Sequence, residues 1–489
     1  MNERHDDIFV VLNIGSSYLS GMLATKSPQG RVLPLAAHRL PTAGCVRQGC
    51  IHNIEDASRY ISSIIDKLKE SLPEEALIQG VYVGLEPRSM RSVRYESRLT
   101  LKPEGCVITA EHLDLLRDQV KDASYPGMKI LSVTDPRYRC DGQREATPRG
   151  VRCHHIEAEY LLIIARQNII VNLQDTIEER LGLKILGFLP TPIAEATAIL
   201  TMEERVLGCA YVNIGGGTTS IAIYRERYPE ALFVLPLGGN NITRDLTKLP
   251  IRLLESDAER LKVDQGSMDL SVSRTASIDA TPSAGGAVKR FSQLEVNRFI
   301  SFRVLEILNN VVQIIREAGY EDALAKGFIF AGGVTKTKHF YETLRKLSPE
   351  YRAASLRRDI YEEGTSEHYL TEYMTEIALA YQAKKSGIVY ELRSLEDLLS
   401  EQPTPAPNSK DSSVASIPEE PASNYETENY TYPESHEVPQ DLEDESEEDD
   451  DTPQPKRDRK SIAERAKGMF HNFGKNLNEL LGGSHDPDY

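Results

Sequence analysis

Two stretches of the chain, about 200 residues apart, repeat one pattern of apolar and polar positions. Each begins with an apolar run, passes through glycines and hydroxyl side chains, and continues into a second apolar run; the copies lie at residues 9–24 and 210–224. A short apolar run bounded by glycine is typical of a buried strand. Two such runs on either side of a tight turn predict a β-hairpin. The pattern therefore predicts two hairpins of the same design.

The turns of these hairpins carry the candidate chemistry. The first turn consists of Gly15, Ser16 and Ser17, and the second of Gly215, Gly216, Gly217, Thr218 and Thr219. Glycine lets the backbone approach an anion closely, and successive N–H groups with neighbouring hydroxyls bind phosphate oxygens. One such turn is a weak signal. Two matched turns predict two homologous half-domains that close on one polyphosphate.

A third glycine turn follows a later apolar run. Gly332 and Gly333 come directly after residues 327–331, and a run of small side chains at residues 190–198 precedes the second hairpin. An Ala-Gly-Gly turn by itself also suits an ordinary strand-to-helix corner. In the order hairpin, hairpin, strand and Gly-Gly, the chain resembles the actin/Hsp70/sugar-kinase ATPase superfamily. The resemblance implies an α/β fold of two actin-like lobes, a duplicated ribonuclease-H-like fold.

Further segments narrow the resemblance. Residues 42–53, 235–245 and 256–262, and the strand-like pair in the block after Gly80, resemble the FtsA family of bacterial actin-like cell-division proteins. The resemblance covers residues 8 to about 387 and the C-terminal helix. We expect the first lobe at 1–80 and 166–190, a small α+β insertion at 81–165, the second lobe at 191–240 and 327–398, its partner-docking subdomain at 241–326, a disordered acidic linker at 399–455 and an amphipathic helix at 456–482.

The resemblance implies that ATP binds between the lobes, with the two hairpin turns on its phosphates. The residues that it implies for the adenosine side are Gly239, Glu259, Lys262, Gly332 and Gly333. The chain departs from the superfamily at Asn13, Asn213 and Ser220, where acidic residues are usual. Carboxylates at such positions hold Mg²⁺ through water and orient the attacking water.

An amide keeps the hydrogen-bonding shape of a carboxylate but carries no charge. We therefore expect Asn13 and Asn213 to bind Mg²⁺ weakly, through water, and we assign no catalytic residue. This predicts a nucleotide-binding switch or structural subunit rather than a competent ATPase, and aspartate at both positions should raise Mg²⁺-dependent ATP binding. Paired asparagines are also compatible with complete loss of nucleotide binding.

The C-terminal part of the chain changes composition. Residues 401–451 hold 17 acidic side chains and one lysine, which predicts a disordered linker. Ser461 and Glu464 then form a capping-box pattern that begins a helix. Its apolar stripe consists of Ile462, Ala466, Met469, Phe470, Phe473, Leu477, Leu480 and Leu481. With lysines and arginines beside this stripe, the pattern favours a helix that lies on an anionic membrane. A helix that docks on the body or on a partner is the alternative, although docking needs no acidic tether.

Composition excludes some classes of protein. Without the acidic linker the chain is nearly neutral, so no nucleic-acid partner is expected. The six cysteines lack CxxC spacing, which indicates a reducing compartment rather than a zinc site or a disulfide framework. The chain contains no run of 18 apolar residues, so we expect no membrane-spanning helix.

Taken together, the resemblance implies an adaptor that tethers the tubulin-like division filament FtsZ to the cytoplasmic face of the inner membrane at the septum. It also implies self-assembly into protofilaments coupled to ATP binding, and recruitment of later divisome proteins. The FtsZ C-terminal peptide is expected to dock near Arg303 and Glu306, which also suit ordinary solvated helix positions. A membrane-associated actin/Hsp70-type ATPase of other function is the alternative.

Overall fold

The computed structural model describes residues 7–250, 252–281, 285, 287–347 and 350–390. The predicted acidic linker at 399–455 and the predicted amphipathic helix at 456–482 lie outside the described residues.

The strands are β1 (Phe9–Ile14), β2 (Tyr18–Lys26), β3 (Val32–Pro41), β4 (Val46–Arg47), β5 (Cys50–Ile51), β6 (Ala76–Ile78), β7 (Gly80–Leu85), β8 (Arg91–Thr100), β9 (Cys106–Val107), β10 (Met128–Val133), β11 (Arg137–Cys140), β12 (Gln143–Glu145), β13 (Arg152–Cys153), β14 (His155–Arg166), β15 (Lys184–Pro190), β16 (Cys209–Ile214), β17 (Thr219–Arg225), β18 (Tyr228–Leu235), β19 (Ser277–Ala280), β20 (Lys289–Ser292), β21 (Phe328–Ala331), β22 (Tyr351–Ala353) and β23 (Ile388–Tyr390).

The helices are α1 (Ile54–Lys69), α2 (Ala110–Asp118), α3 (Gln167–Gln174), α4 (Thr191–Ile199), α5 (Met202–Leu207), α6 (Gly239–Leu246), α7 (Glu255–Gln265), α8 (Gln293–Glu317), α9 (Phe340–Leu347), α10 (Glu367–Glu372) and α11 (Met374–Gln382).

Two five-stranded sheets have the same topology. The first sheet has the spatial order β3-β2-β1-β7-β15, and the second has the order β18-β17-β16-β21-β22. In each sheet the first three strands of the chain are antiparallel and the next two are parallel to the first. The repeated order supports the predicted duplication, and the two-lobed α/β fold is confirmed.

The two predicted hairpins also share their register. Asn13 lies opposite Ser20 in the first hairpin, and Asn213 lies opposite Ser220 in the second. The two copies therefore place equivalent side chains at equivalent points of the two sheets.

Helices cover both faces of the first sheet, which explains why its strands read as continuous apolar runs. On β1, Val10 and Leu12 belong to the apolar cluster that contains α1, whereas Phe9 and Val11 belong to the cluster that contains α11. The α1 helix begins where the Asn53 side chain accepts a hydrogen bond from the Asp56 N–H at 3.0 Å. This N-cap satisfies one of the free amides of the first turn.

Two of the predicted boundaries differ from the structure. The β7 strand pairs with β1 and β15 in the first sheet, so the insertion begins after Leu85 rather than at residue 81. The two strands predicted in the block after Gly80 are present as β7 and β8, but β8 pairs with β14 in another sheet rather than with β7. The last part of the segment 327–398, which was assigned to the second lobe, belongs to the first lobe instead. Its α11 helix packs on β1 and β2, and its β23 strand pairs with β6.

The insertion is built on the long strand β14, which pairs with β8 on one side and with β10 and β11 on the other. In the second lobe, α6, α7 and α8 pack around a short β19–β20 hairpin.

A buried glutamate joins the insertion to the second lobe. Glu230 on β18 is 2% exposed and forms ion pairs with Arg94 on β8 at 2.7 Å and with Arg137 on β11 at 2.8 Å. Arg225 on β17 lies 3.4 Å from the same carboxylate. Three guanidinium groups therefore share one buried negative charge, and Arg94 and Arg137 also lie 3.7 and 3.6 Å from Glu159.

Replacement of this charge should loosen the insertion. We expect Glu230→Gln to lower the free energy of unfolding by about 3 kcal/mol, because the largely buried Arg137 loses its 2.8 Å ion pair and keeps only the longer one with Glu159 at 3.6 Å. The matched control is Glu226→Gln, since partly exposed Glu226 pairs with Arg144 across the same interface; it should cost less than about 1 kcal/mol. Chemical denaturation measures both, and equal effects would show that the Glu230 cluster is no more than a surface contact.

Candidate functional site

The turns of the two hairpins face each other. A Cβ atom built on Gly216 would overlap the Ser17 hydroxyl, and one built on Gly217 would lie 2.5 Å from Ser16 Oγ and 2.7 Å from Ser16 Cβ. No side chain fits between the turns at either position. The structure thus brings together the two glycine turns that the sequence singled out, with one turn on each lobe.

The segment 42–53 holds the first turn in place. The Thr42 hydroxyl donates to the Ser16 carbonyl at 2.9 Å, and the Thr42 N–H donates to the Ser17 carbonyl at 3.0 Å. The Gly49 N–H donates to Ser16 Oγ at 2.8 Å. Ser16 Oγ accepts this bond, so its own proton is available to a ligand oxygen.

The segment 235–245 holds the second turn in the same way. The Gly215 N–H donates to the Thr218 carbonyl at 2.9 Å and closes the turn. The N–H groups of Gly239 and Asn240 then donate to the carbonyls of Gly215 and Gly216 at 2.9 and 2.7 Å. These bonds place the first residue of α6 beside the turn.

The residues predicted for the adenosine side lie together on the second lobe. Lys262 Nζ lies 2.6 Å from Glu259 Oε2 and donates to Thr243 Oγ1 at 3.0 Å and to the Gly239 carbonyl at 3.2 Å. A Cβ on Gly239 would lie 3.3 Å from both Lys262 Nζ and Val334 Cγ2. Gly239 therefore lies between α7 and the third glycine turn.

The third turn approaches the end of the second hairpin. Gly332 has a φ of 97°, which an L side chain rarely adopts, and a Cβ there would overlap the Ile214 carbonyl and Asn213 Oδ1. A Cβ on Gly333 would meet nothing within 4 Å among the described residues. Gly332 is thus fixed by packing, whereas Gly333 faces open space.

Each hairpin asparagine lies against a buried glutamate. Asn13 Nδ2 donates to Glu376 on α11 at 3.2 Å, and the Ser20 hydroxyl donates to the same carboxylate. Asn213 Nδ2 donates to Glu195 on α4 at 2.7 Å. Glu195 and Glu376 are 0% and 4% exposed. The amides therefore do not stand in place of a negative charge; each donates to one.

Glu195 has two further donors. The Tyr211 hydroxyl binds it at 2.9 Å and the Thr375 hydroxyl of α11 binds it at 2.6 Å. Burial raises the pKa of the Glu195 carboxyl above its ordinary value, while the three donors oppose that rise and nearby Glu376 adds to it. Burial likewise raises the pKa of Glu376, against the donors Ser20 and Asn13.

A third glutamate lies at the second hairpin. Glu86 follows β7 and is half-buried beside the hydroxyls of Thr218 and Ser220. Burial, with a smaller contribution from Glu195, raises the pKa of Glu86 to about 8, although both hydroxyls act in the opposite direction. Three carboxyl groups from three elements therefore surround the two hairpins.

Sequence reasoning assigned no role to these three glutamates. A signal for two of them was available, because Glu195 and Glu376 are charged residues within short helices of small and apolar side chains. A charge at such a position is buried only where partners satisfy it. The partners belong to distant strands, which the sequence does not reveal.

The residues predicted for partner docking lie on α8. Arg303 Nε binds Asp245 Oδ2 of α6 at 2.6 Å, and the same guanidinium pairs with Glu306 one turn further along the helix. Both are thus engaged within the second lobe, and Glu306 is about half-exposed at 48% of its side chain.

Within the residues that the structure describes, no helix is long and apolar enough to cross a membrane. In the same part of the chain, no group of three or more His, Cys, Asp or Glu side chains is arranged to hold a metal ion directly.

Two sheets of one topology, joined by facing glycine turns, define a two-lobed actin-like protein. Among solved structures, the PilM–PilN type IV pilus biogenesis complex matches with a TM-score of 0.52 and 16% identity, covering 76% of this chain and 96% of that chain. This likeness concerns the fold.

Sequence comparison identifies the family. The model of the family described as cell division protein FtsA matches residues 210–386. The cell division protein FtsA of Porphyromonas gingivalis is 38% identical over 398 residues, covering 81% of this chain and 83% of the relative. That of Bacillus subtilis is 27% identical over 338 residues, covering 68% and 74%. The chain belongs to the FtsA family of cell-division proteins, as its motifs predicted.

The contact between the turns can be tested without a ligand. We expect Gly217→Ala to lower the free energy of unfolding by about 1–3 kcal/mol, because its Cβ must displace buried Ser16. Gly333→Ala adds the same methyl group at the third turn, where it meets open space, and should change stability little. Denaturant titration compares the two variants. A Gly217→Ala protein as stable as the parent would contradict the facing turns.

The raised pKa of Glu86 predicts a pH effect on stability. A carboxyl group with a higher pKa in the folded chain binds its proton more tightly there, so the folded state loses stability as pH rises from about 4.5 to about 8. Over this window the unfolding free energy of the parent should fall relative to that of Glu86→Gln. The control is Glu74→Gln at an exposed loop position. Parallel pH profiles for the parent and Glu86→Gln would contradict the prediction.

Proposed function

We propose that this chain is a nucleotide-binding cell-division adaptor that links the tubulin-like filament FtsZ to the cytoplasmic membrane at the septum and recruits later divisome proteins. Membership of the FtsA family, together with two glycine turns that meet between the lobes, carries the proposal.

The proposed nucleotide is ATP. Gly15, Ser16 and Ser17 would bind its phosphates from the first lobe, and the turn from Gly215 to Thr219 would bind them from the second. Gly239, Glu259, Lys262, Gly332 and Gly333 would contact the adenosine. The support is geometric: the two glycine turns, one on each lobe, lie against each other, and the N–H of Gly49 and those of Gly239 and Asn240 hold them in place.

Mg²⁺ would bind beside the nucleotide, with water molecules between the ion and the protein. Asn13 and Asn213 offer amide oxygens, and the described residues contain no cluster that would bind the ion directly. An outer-sphere position suits Mg²⁺, which keeps several of its waters.

A hydrolytic enzyme is the second candidate function, and one observation favours it. Three carboxyl groups lie at the hairpins even though Asn13 and Asn213 are amides. Steady-state ATP turnover with Mg²⁺ separates an ATPase from a nucleotide-binding adaptor.

Self-assembly and FtsZ binding follow from family membership. The FtsZ C-terminal peptide is proposed to dock on the second-lobe subdomain near Arg303 and Glu306. The support is the position of Arg303, which Asp245 and Glu306 hold at the surface of α8. Its guanidinium would offer the remaining donors to an acidic peptide group.

Membrane attachment is proposed for the sequence 456–482. Its apolar positions, from Ile462 to Leu481, recur at spacings of three and four, and seven basic side chains accompany them. These are the features of a helix that lies in the membrane interface.

Vesicle co-sedimentation tests the adaptor. The full chain should bring FtsZ filaments down with anionic vesicles, whereas Phe470→Glu with Phe473→Glu should leave FtsZ binding intact and abolish vesicle binding. Each ring contributes about 1.5–3 kcal/mol of burial. As a matched pair of changes, Lys467→Glu with Lys475→Glu should weaken vesicle binding less, and mainly at low salt. Retention of the phenylalanine variant on vesicles would overturn the membrane assignment and favour a docking helix.

A further inference from the structure

Two positions on the hairpins lack the carboxylate that actin-like proteins usually carry there, and each contacts a glutamate from another element. Asn13 lies against Glu376 of α11, and Asn213 lies against Glu195 of α4. In both cases the acid is absent from the hairpin strand and present at its side.

The arrangement follows the duplication of the lobes. Asn13 and Asn213 occupy equivalent positions in the two hairpins, opposite Ser20 and Ser220. The glutamates that they contact lie on α4 and α11, which pack against each other. Thr375, next to Glu376 on α11, donates to Glu195 on α4 at 2.6 Å. Each lobe thus has one amide–carboxylate pair, and a hydrogen bond joins the helices that supply the acids.

The hydrogen bonds also fix which way each amide faces. A carboxylate only accepts, so Asn13 and Asn213 must turn their NH₂ groups to the glutamates and their oxygens away from them. For Asn213 the oxygen lies at the third turn, where a Cβ on Gly332 would overlap it. The glutamate therefore sets the direction in which the amide oxygen is presented.

We propose that Glu376 and Glu195 are positioning residues that replace the missing hairpin carboxylates: they orient the amide oxygens of Asn13 and Asn213 and supply the negative charge that holds a hydrated divalent cation beside the nucleotide phosphates. The inference rests on the proposed nucleotide binding and assigns the metal dependence of that site to residues outside the glycine turns.

Aspartate at positions 13 and 213 should then have the opposite effect to the one expected from the sequence. In the Asn213→Asp variant two carboxyl groups would lie about as close as the Asn213 amide and Glu195 do, at 2.7 Å, and they could stay in contact only by holding a proton between them. Like charges at this distance disfavour each other's ionised form. Aspartate alone should therefore destabilise the chain rather than improve metal binding.

An exchange of the two groups provides the test. Glu195→Gln removes the charge, and Asn213→Asp combined with Glu195→Gln returns it to the hairpin while it keeps one amide and one carboxylate in contact. Glu376→Gln and the combination of Asn13→Asp with Glu376→Gln do the same in the first lobe. Glu226→Gln, at a partly exposed position of the second lobe, is the control for loss of a carboxylate elsewhere.

Binding of a fluorescent ATP analogue is titrated in EDTA and in Mg²⁺, and thermal unfolding is followed without nucleotide. We expect Mg²⁺ to tighten binding to the parent about tenfold. Glu195→Gln and Glu376→Gln should lose most of this increment yet bind as the parent does in EDTA, and both exchange variants should regain it. Asn213→Asp alone should unfold at a lower temperature than its exchange variant.

The outcomes separate the two proposals. A parent that binds no analogue in either buffer overturns the nucleotide function, and this inference with it. If the parent binds but the glutamine variants keep the Mg²⁺ increment, the carboxylates serve only the packing of α4 and α11, and the inference alone is overturned. Glutamine variants that lose the increment without recovery in either exchange variant also overturn it, because charge at the hairpin would then not be the cause.

Discussion

The close approach of the two glycine turns is the constraint on which the rest of the structure depends. Gly216 and Gly217 meet Ser17 and Ser16 so closely that a single methyl group at either glycine would have to displace a serine side chain. Each turn is held from behind by its own lobe: residues 42–53 bind the first, and residues 235–245 bind the second. The contact is therefore made by two preformed surfaces. A ligand at this contact would be bound by backbone N–H groups and hydroxyls.

Buried charge connects this contact to the helices behind it. A carboxylate without water needs donors, and Glu195 and Glu376 obtain theirs from the hairpin strands and, for Glu195, from the neighbouring helix α11. The α4 and α11 helices are thereby tied to the strands that lead into the turns. Hydrogen bonds of 2.6–3.2 Å join these helices to the strands and to each other, in addition to the buried apolar contacts between them.

The insertion adds a second connection between the lobes. The insertion begins directly after β7 of the first sheet, yet its Arg94 and Arg137 form ion pairs with Glu230 of the second lobe. At its far end the described chain also crosses back, since α11 and β23 complete the first lobe. Neither lobe is thus a continuous piece of sequence, and the orientation of the two sheets is fixed at several separated points.

The sequence by itself determined the local elements and the family. Apolar runs and glycine turns are short-range patterns, so both hairpins, the third turn and the FtsA resemblance were predicted from them. The sequence did not reveal which distant segments pair. The predicted domain boundary after Gly80 therefore fell within β7, because only the hydrogen bonds of β7 to β1 and β15 assign this strand to the first sheet. The sequence likewise presented Asn13 and Asn213 as lost charges. Only the tertiary structure shows that each asparagine contacts a buried carboxyl group, which comes from α11 or α4. A hydrogen bond between residues 363 positions apart leaves no periodic trace in the chain.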